Sequence, residues 1–231
     1  MEYWQEFEPP AGPGEAGDRV WTDHYLARMP DGRRLAMPLR PLGDLAVAGL
    51  IANQASFAVL DALTGWLAEV ARAFAPEVVV GLPTLGHGFA AGVARALGHP
   101  NWVAPGTSRK FWYDEALSVP LNSITSPGGG RRMWLDPRLL KRVQGRRVLL
   151  VDDVVSTGAS LGAGLALLAS AGVEPVGFCT AMLQGDRWRP AAPVGLPVVG
   201  VFSTPLFQRV GEGWRARPGT DAQDCCPLLG G

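Results

Sequence analysis

Little in this chain could bind a metal ion or cross-link the fold. Only three cysteines occur in 231 residues, Cys179, Cys225 and Cys226. An odd count with one adjacent pair is no disulfide framework. With no secretory leader evident, a reducing cytoplasmic setting is expected. The three histidines, His24, His87 and His99, lack metal-ligand spacing. Lysine is nearly missing: of 21 basic residues only Lys110 and Lys141 are lysines. Twenty-one acidic residues balance them, so the formal charge is zero and no basic field exists to hold a nucleic-acid backbone. No apolar run approaches the ~20 residues that span a bilayer, and no membrane association is expected. What remains, 47% hydrophobic and 18% charged residues, is the composition of a globular soluble protein with a substantial core.

Residues 1–19, rich in Pro, Gly and Glu, read as a mobile N-terminal arm, and residues 221–231 as a frayed C-terminal tail. Between them, 20–220 reads as one domain. Trp21–Arg28 and Arg33–Leu39 are expected strands around the turn Pro30-Asp31-Gly32. From Asn53 to Phe74 the spacing of Phe57, Leu60, Leu63, Leu67 and Val70 predicts a helix with those residues on one face. A buried strand at Val78–Leu82, a small-residue helix at Phe89–Leu97 and a short strand at Asn101–Ala104 follow. Residues 107–136, with Pro120, Pro127 and Gly128-Gly129-Gly130, form a long irregular segment with extended pieces near Leu117–Ile124 and Arg131–Leu135. An insertion of that length usually serves function. Then come a strand at Arg147–Val151, a helix at Gly158–Ala171 and a strand at Glu174–Ala181. Beyond Gln184 lie a strand-like Val198–Phe202 and a hairpin at Phe207–Trp214. Strands alternating with helices of this length predict an α/β fold, a parallel sheet flanked by helices.

The chemistry concentrates in Val148–Ser160, VLLVDDVVSTGAS. An apolar strand runs into two adjacent carboxylates, Asp152 and Asp153, and a Ser-Thr-Gly-Ala-Ser turn then opens a helix. Parallel sheets bind ligands beyond the carboxyl ends of their strands, where this turn lies. A helix N-terminus offers unpaired N–H groups and the positive end of a dipole, and Gly158 lets a phosphate approach the backbone. The hydroxyls of Ser156, Thr157 and Ser160, with the amides of Gly158 and Ala159, complete a phosphate cradle. Two acids beside an anion site need a separate reason: carboxylates accept hydrogen bonds from vicinal hydroxyls or orient water on a metal ion. A ribose 5-phosphate satisfies both halves.

Other strand-and-acid or glycine-rich sites fit worse. A phosphorylation receiver needs a later lysine, and none follows Lys141. No Gly-Lys-Ser/Thr phosphate loop occurs. Gly86-His87-Gly88 imitates a dinucleotide fingerprint, but the next strand, Val103-Ala104-Pro105-Gly106, ends in no acid.

The thirteen-residue string resembles the phosphoribosyl-pyrophosphate signature of the type I phosphoribosyltransferase family: four hydrophobic residues, two acids, two hydrophobics and a Thr-Gly turn. The likeness runs from about residue 50 to residue 181 and is nearest in layout to the adenine and purine members. It implies a type I fold with a small variable hood, built from 20–40, from 184–216 or from both, and a flexible lid loop at about 107–136. By the resemblance, Thr84, Leu85 and Gly86 would hold pyrophosphate through their amides, although Leu85 stands where many relatives carry a basic residue. Arg109 and Lys110 match an Arg-Lys pair that would face the leaving group. Arg131 and Arg132 in the lid would reach pyrophosphate, and Asp114 or Glu115 could handle a proton. Asp152 and Asp153 would hold the ribose and, through water, a Mg²⁺ ion bridging substrate oxygens.

The activity so implied is transfer of a 5-phosphoribosyl group from phosphoribosyl pyrophosphate to a nucleobase, a purine of adenine type, in nucleotide salvage. A non-purine acceptor and a non-catalytic sensor of phosphoribosyl pyrophosphate remain open. Phe178, Phe202, Phe207 and Trp214 are candidates to stack on the base, though buried aromatics are more often core. Family members are commonly homodimers, and the expected partners are phosphoribosyl pyrophosphate and a nucleobase.

Overall fold

The computed structural model describes residues 2–12, 19–121 and 131–229. Twelve strands occur among them: β1 (Val20–Trp21), β2 (His24–Arg28), β3 (Arg34–Leu42), β4 (Leu45–Ala48), β5 (Val78–Gly81), β6 (Ser118–Pro120), β7 (Arg132–Trp134), β8 (Val148–Val155), β9 (Pro175–Gln184), β10 (Val198–Thr204), β11 (Leu206–Val210) and β12 (Gly213–Ala216). The α-helices are α1 (Phe57–Arg72), α2 (Gly86–Ala96), α3 (Leu140–Val143) and α4 (Ala159–Ser170).

The apolar runs of β5, β8, β9 and β10 pair in parallel, in the order β10-β9-β8-β5, as expected of strands buried on both faces. One face packs against α1 and α2 through Leu63, Leu67, Phe89 and Val93; the other packs against α4 through Leu161, Leu167 and Leu168. The strand expected at 101–104 shrinks to one bridging residue, Val103 beside Val80, because Pro105 follows with no N–H to give to a ladder. In contrast, β8 and β9 run past their expected ends, so both aspartates lie within β8, with Asp152 opposite Thr180.

Ser56 caps α1, its hydroxyl accepting from the Val59 amide at 3.2 Å. Val59, Leu63, Leu67 and Val70 form the buried stripe, but Phe57 is 83% exposed and lies off it. At the first helical position the side chain sits beyond the layer that the later turns cover.

The remaining strands form a six-stranded antiparallel sheet, β1-β12-β11-β4-β3-β2, in which β11 pairs with β4 and so joins the N-terminal and C-terminal hairpins. Gln184, the last residue of β9, donates from Nε2 to the Ala48 carbonyl at 2.7 Å. That contact fixes the antiparallel sheet over the carboxyl end of the parallel one.

Residues 2–12 are not the expected mobile arm. Trp4 is buried and donates from Nε1 to the Gly49 carbonyl at 3.0 Å, Ser56 donates to the Gln5 carbonyl at 2.6 Å, and Phe7 meets Trp66 edge-on. Pro and Gly content suggested an arm, but one large indole supplies enough buried surface to dock it. Nor is the C-terminal segment frayed over its described residues. Ala222 and Cys226 are buried, Asp221 accepts from Ser203, and Arg189 pairs with Asp224 at 2.6 Å.

Candidate active site

Within β8 the Asp152 carboxylate is buried, and Asp153 beside it is partly exposed. The Asp153 amide donates to Asp152 Oδ1 at 2.9 Å. Burial, joined by the neighbouring negative charge of Asp153, holds the Asp152 carboxyl well above the usual carboxylate range, and burial raises Asp153 too. Both shifts favour the protonated form, so the pair ionises less readily than exposed aspartates do.

Three residues on, the chain turns through Ser156-Thr157-Gly158. Gly158 has φ 82°, the left-handed conformation that glycine adopts without strain, and α4 begins at Ala159 with no side chain capping it. Its first-turn amides are therefore available to a ligand, with the hydroxyls of Ser156, Thr157 and Ser160 beside them. The turn is backed by a short 3₁₀ segment, Arg189–Ala191. A Cβ at Gly158 would fall inside contact distance of the Ala191 Cβ and 3.3 Å from the Trp188 carbonyl oxygen.

The next loop along the sheet edge, Pro83-Thr84-Leu85-Gly86, connects β5 to α2. Thr84 is exposed, Leu85 half-buried and Gly86 buried, and the Pro83–Thr84 peptide is cis. Gly86 lies so close to β8 that an added Cβ would stand 2.7 Å from Asp152 Oδ1. The acid pair, the uncapped turn and this loop thus share one end of the parallel sheet. Sequence alone could not bring Gly86 onto Asp152, since 65 residues separate them.

His87, in the first turn of α2, was not singled out by its spacing. It is half-buried, donates to the Pro105 carbonyl at 3.0 Å and meets Trp102 edge-on, so it ties α2 to the segment leading into Arg109 and Lys110. Desolvation lowers its pKa, against a smaller opposing effect of the hydrogen bond to Pro105. Arg109 and Lys110 are both exposed. Arg109 pairs with Glu115 at 2.7 Å and lies over the Trp134 ring.

The lid segment has an ordered base, the hairpin of β6 and β7. Arg132 is committed there: its Nε and Nη2 donate to the Ser118 hydroxyl at 3.0 and 2.7 Å. Arg131 is exposed. Asp114 accepts from the Ala116 amide, and Glu115 is held by Arg109, so the two acids have local partners. The rest of the lid, including part of the extended piece expected at Leu117–Ile124, lies outside the described residues.

All four aromatic candidates for base stacking, Phe178, Phe202, Phe207 and Trp214, are buried core residues. A residue that sequence reasoning passed over is Arg187, in the loop after β9: its Nη2 donates to Ser156 Oγ at 3.2 Å. A signal existed in Gln184-Gly185, which ends a buried strand next to the signature strand.

Comparison with known proteins agrees with this geometry. The profile of the phosphoribosyl transferase domain matches residues 50–198. An adenine phosphoribosyltransferase of Frankia casuarinae is 32% identical over 161 residues, covering 65% of this chain and 77% of that protein. One from Frankia alni is 30% identical over 142 residues, covering 59% of this chain and 67% of that protein. Two solved structures share the fold. The adenine phosphoribosyltransferase of Rhodothermus marinus superposes with TM-score 0.54 at 21% identity, over 72% of this chain and 94% of that one. The Giardia lamblia enzyme complexed with 9-deazaadenine superposes with TM-score 0.56 at 20% identity, over 72% and 93%. With β8, the Ser156–Ser160 turn and the adjoining glycine loop set at one sheet edge, and a family profile spanning more than half of the sequence, this chain belongs to the phosphoribosyltransferase family.

Proposed function

We propose that this protein moves the 5-phosphoribosyl group of phosphoribosyl pyrophosphate to a purine, adenine being the favoured acceptor, and releases pyrophosphate. The observation that carries the reading is the meeting of Asp152, the uncapped turn at Ser156–Ser160 and the Gly86 loop at the carboxyl end of the parallel sheet. The Frankia relatives, named for adenine, favour that base.

In this reading the turn amides and the hydroxyls of Ser156, Thr157 and Ser160 bind the 5-phosphate. Ionised Asp152 and Asp153 accept hydrogen bonds from the ribose hydroxyls. Amides of Thr84, Leu85 and Gly86 receive the pyrophosphate, and Arg109 and Lys110 stand ready to offset its charge. Displacement at C1 passes through a cation-like sugar, so stabilising the departing negative charge matters more than a strong nucleophile. The raised carboxyl pKa values suit Asp152 or Asp153 to take the proton that the base loses. Closure of the lid, with Arg131 and Arg132 near its hinge, would exclude water from the activated sugar.

Among the described residues no group of three or more His, Cys, Asp or Glu side chains could cage a metal ion. Asp152 and Asp153 would hold a Mg²⁺ ion, which would supply positive charge beside the phosphates. A cytoplasmic homodimer remains the working expectation, and among the described residues no helix is long and apolar enough to cross a membrane.

The direct test is pyrophosphate release from phosphoribosyl pyrophosphate and Mg²⁺ with each nucleobase in turn. Release with adenine or another purine supports the reading. Release only with a pyrimidine moves the acceptor, and binding without turnover on any base turns the protein into a sensor.

A further inference from the structure

Arg187 sits three residues beyond β9, in the loop that closes over the phosphate turn. Its neighbour Trp188 is buried and donates from Nε1 to the Gly185 carbonyl at 2.9 Å, which pins the loop. The same loop continues into the segment that backs Gly158, so Arg187 and the turn are packed as one unit. From this anchored position the guanidinium donates through Nη2 to the Ser156 hydroxyl at 3.2 Å. Its Nε is shut off from solvent and has no hydrogen-bond partner among the described residues.

The guanidinium is partly exposed, but its buried Nε lacks an acceptor and its side-chain hydrogen bond among the described residues goes to a neutral hydroxyl, so part of its donor capacity is uncompensated. The group that compensates it is an anion with more than one oxygen, because a guanidinium presents its donors as a planar fork. We infer that Arg187, with Ser156, forms an oxyanion grip that binds the 5-phosphate of the sugar donor alongside the turn amides. Ser156 opens the turn whose amides are uncapped, which favours the donor phosphate. A carboxylate on an acidic acceptor base is the other source of the same chemistry. The assignment rests on the phosphoribosyl-transfer reading and adds to it a charged ligand from a third loop, one that lies outside the signature string.

Binding of ribose 5-phosphate and of magnesium pyrophosphate to the full chain, measured by calorimetry, tests this on the wild type, Arg187→Gln and Arg187→Lys. Steady-state turnover with adenine and with a carboxylated pyrimidine accompanies it. Arg187→Gln should weaken ribose 5-phosphate binding about tenfold to a hundredfold and raise KM for the donor, with kcat little changed. Magnesium pyrophosphate affinity should stay within about twofold, since that ligand lies at another loop. Arg187→Lys should recover part of the loss.

Intact ribose 5-phosphate binding with selective loss of turnover on the carboxylated base supports the grip and assigns it to the acceptor. Unchanged binding and turnover in Arg187→Gln overturns the inference, as does an equal loss for both ligands, which would mark a merely structural loop residue. Should the wild type itself fail to bind ribose 5-phosphate, the phosphoribosyl reading falls first and the role of Arg187 with it.

Discussion

Gly86→Ala tests the junction between the glycine loop and the acid pair. A Cβ at that position would lie 2.7 Å from Asp152 Oδ1, 2.8 Å from Asp152 Cα and 3.0 Å from the Val151 carbonyl oxygen. Ordinary carbon contacts begin near ~3.5 Å, so the methyl group demands roughly 0.7 Å of movement. Two of the three obstructing atoms are backbone of β8, which is hydrogen-bonded to β5 on one side and β9 on the other, so the strand cannot yield. The loop must move instead, carrying the amides of Thr84 and Leu85 with it. Overpacking of this kind costs about 1–3 kcal/mol, and a displacement approaching ~1 Å at a reacting group costs on the order of a hundredfold in rate.

The expected outcome is a Tm lower by roughly 3–10 °C and kcat/KM for phosphoribosyl pyrophosphate lower by about a hundredfold. The assays are thermal unfolding and pyrophosphate release. Gly88→Ala is the control: nothing lies within 4 Å of its added Cβ, so two residues further along α2 the same change should be neutral or stabilise by up to about 1 kcal/mol. A Gly86→Ala enzyme with full kcat/KM would show that the loop tolerates separation from Asp152, and the close approach would lose its functional meaning.

Further outcomes are expected at three places: the acid pair, Gly158 and Trp4. Asp152→Asn with Asp153→Asn should abolish pyrophosphate release while the fold persists. Because burial raises both carboxyls, ionising them opposes folding, and that penalty is absent below the ordinary carboxylate range and grows as pH rises through the raised values. Asp152→Asn should therefore raise Tm by about 2–8 °C at pH 8 and by little at pH 4; an equal gain at both would sink the burial explanation. In the wild type the same shifts place the acid limb of the activity profile above the pH at which an exposed aspartate titrates, and a limb near ~4 would contradict this. Gly158→Ala must adopt φ 82° and press on Ala191, costing about 2 kcal/mol or more and weakening ribose 5-phosphate binding; unaltered binding would argue against the turn as cradle. Trp4→Ala removes a buried indole and its hydrogen bond to Gly49, an expected loss of about 3–5 kcal/mol, and a Tm change of less than ~2 °C would return residues 2–12 to the status of an arm.

The local string Val148–Ser160 determined a great deal unaided. Strand, paired acids, left-handed glycine and helix start are consecutive residues, and near-neighbour sterics and the rules of helix ends govern them whatever surrounds them. The succession of strands and helices along the chain was legible for the same reason, in apolar runs separated by helical periods, although the strand expected at 101–104 shrank to one bridging residue. Only the folded chain decided matters that depend on residues distant in sequence. It set Gly86 on Asp152, Arg187 on Ser156, Arg109 on Glu115 and Arg132 on Ser118, and it sank four aromatic candidates into the core. It also docked Trp4 where composition suggested a loose arm. Such contacts arise from packing across strands and loops, where a side chain's partner is set by the whole sheet and not by its own neighbours in the chain.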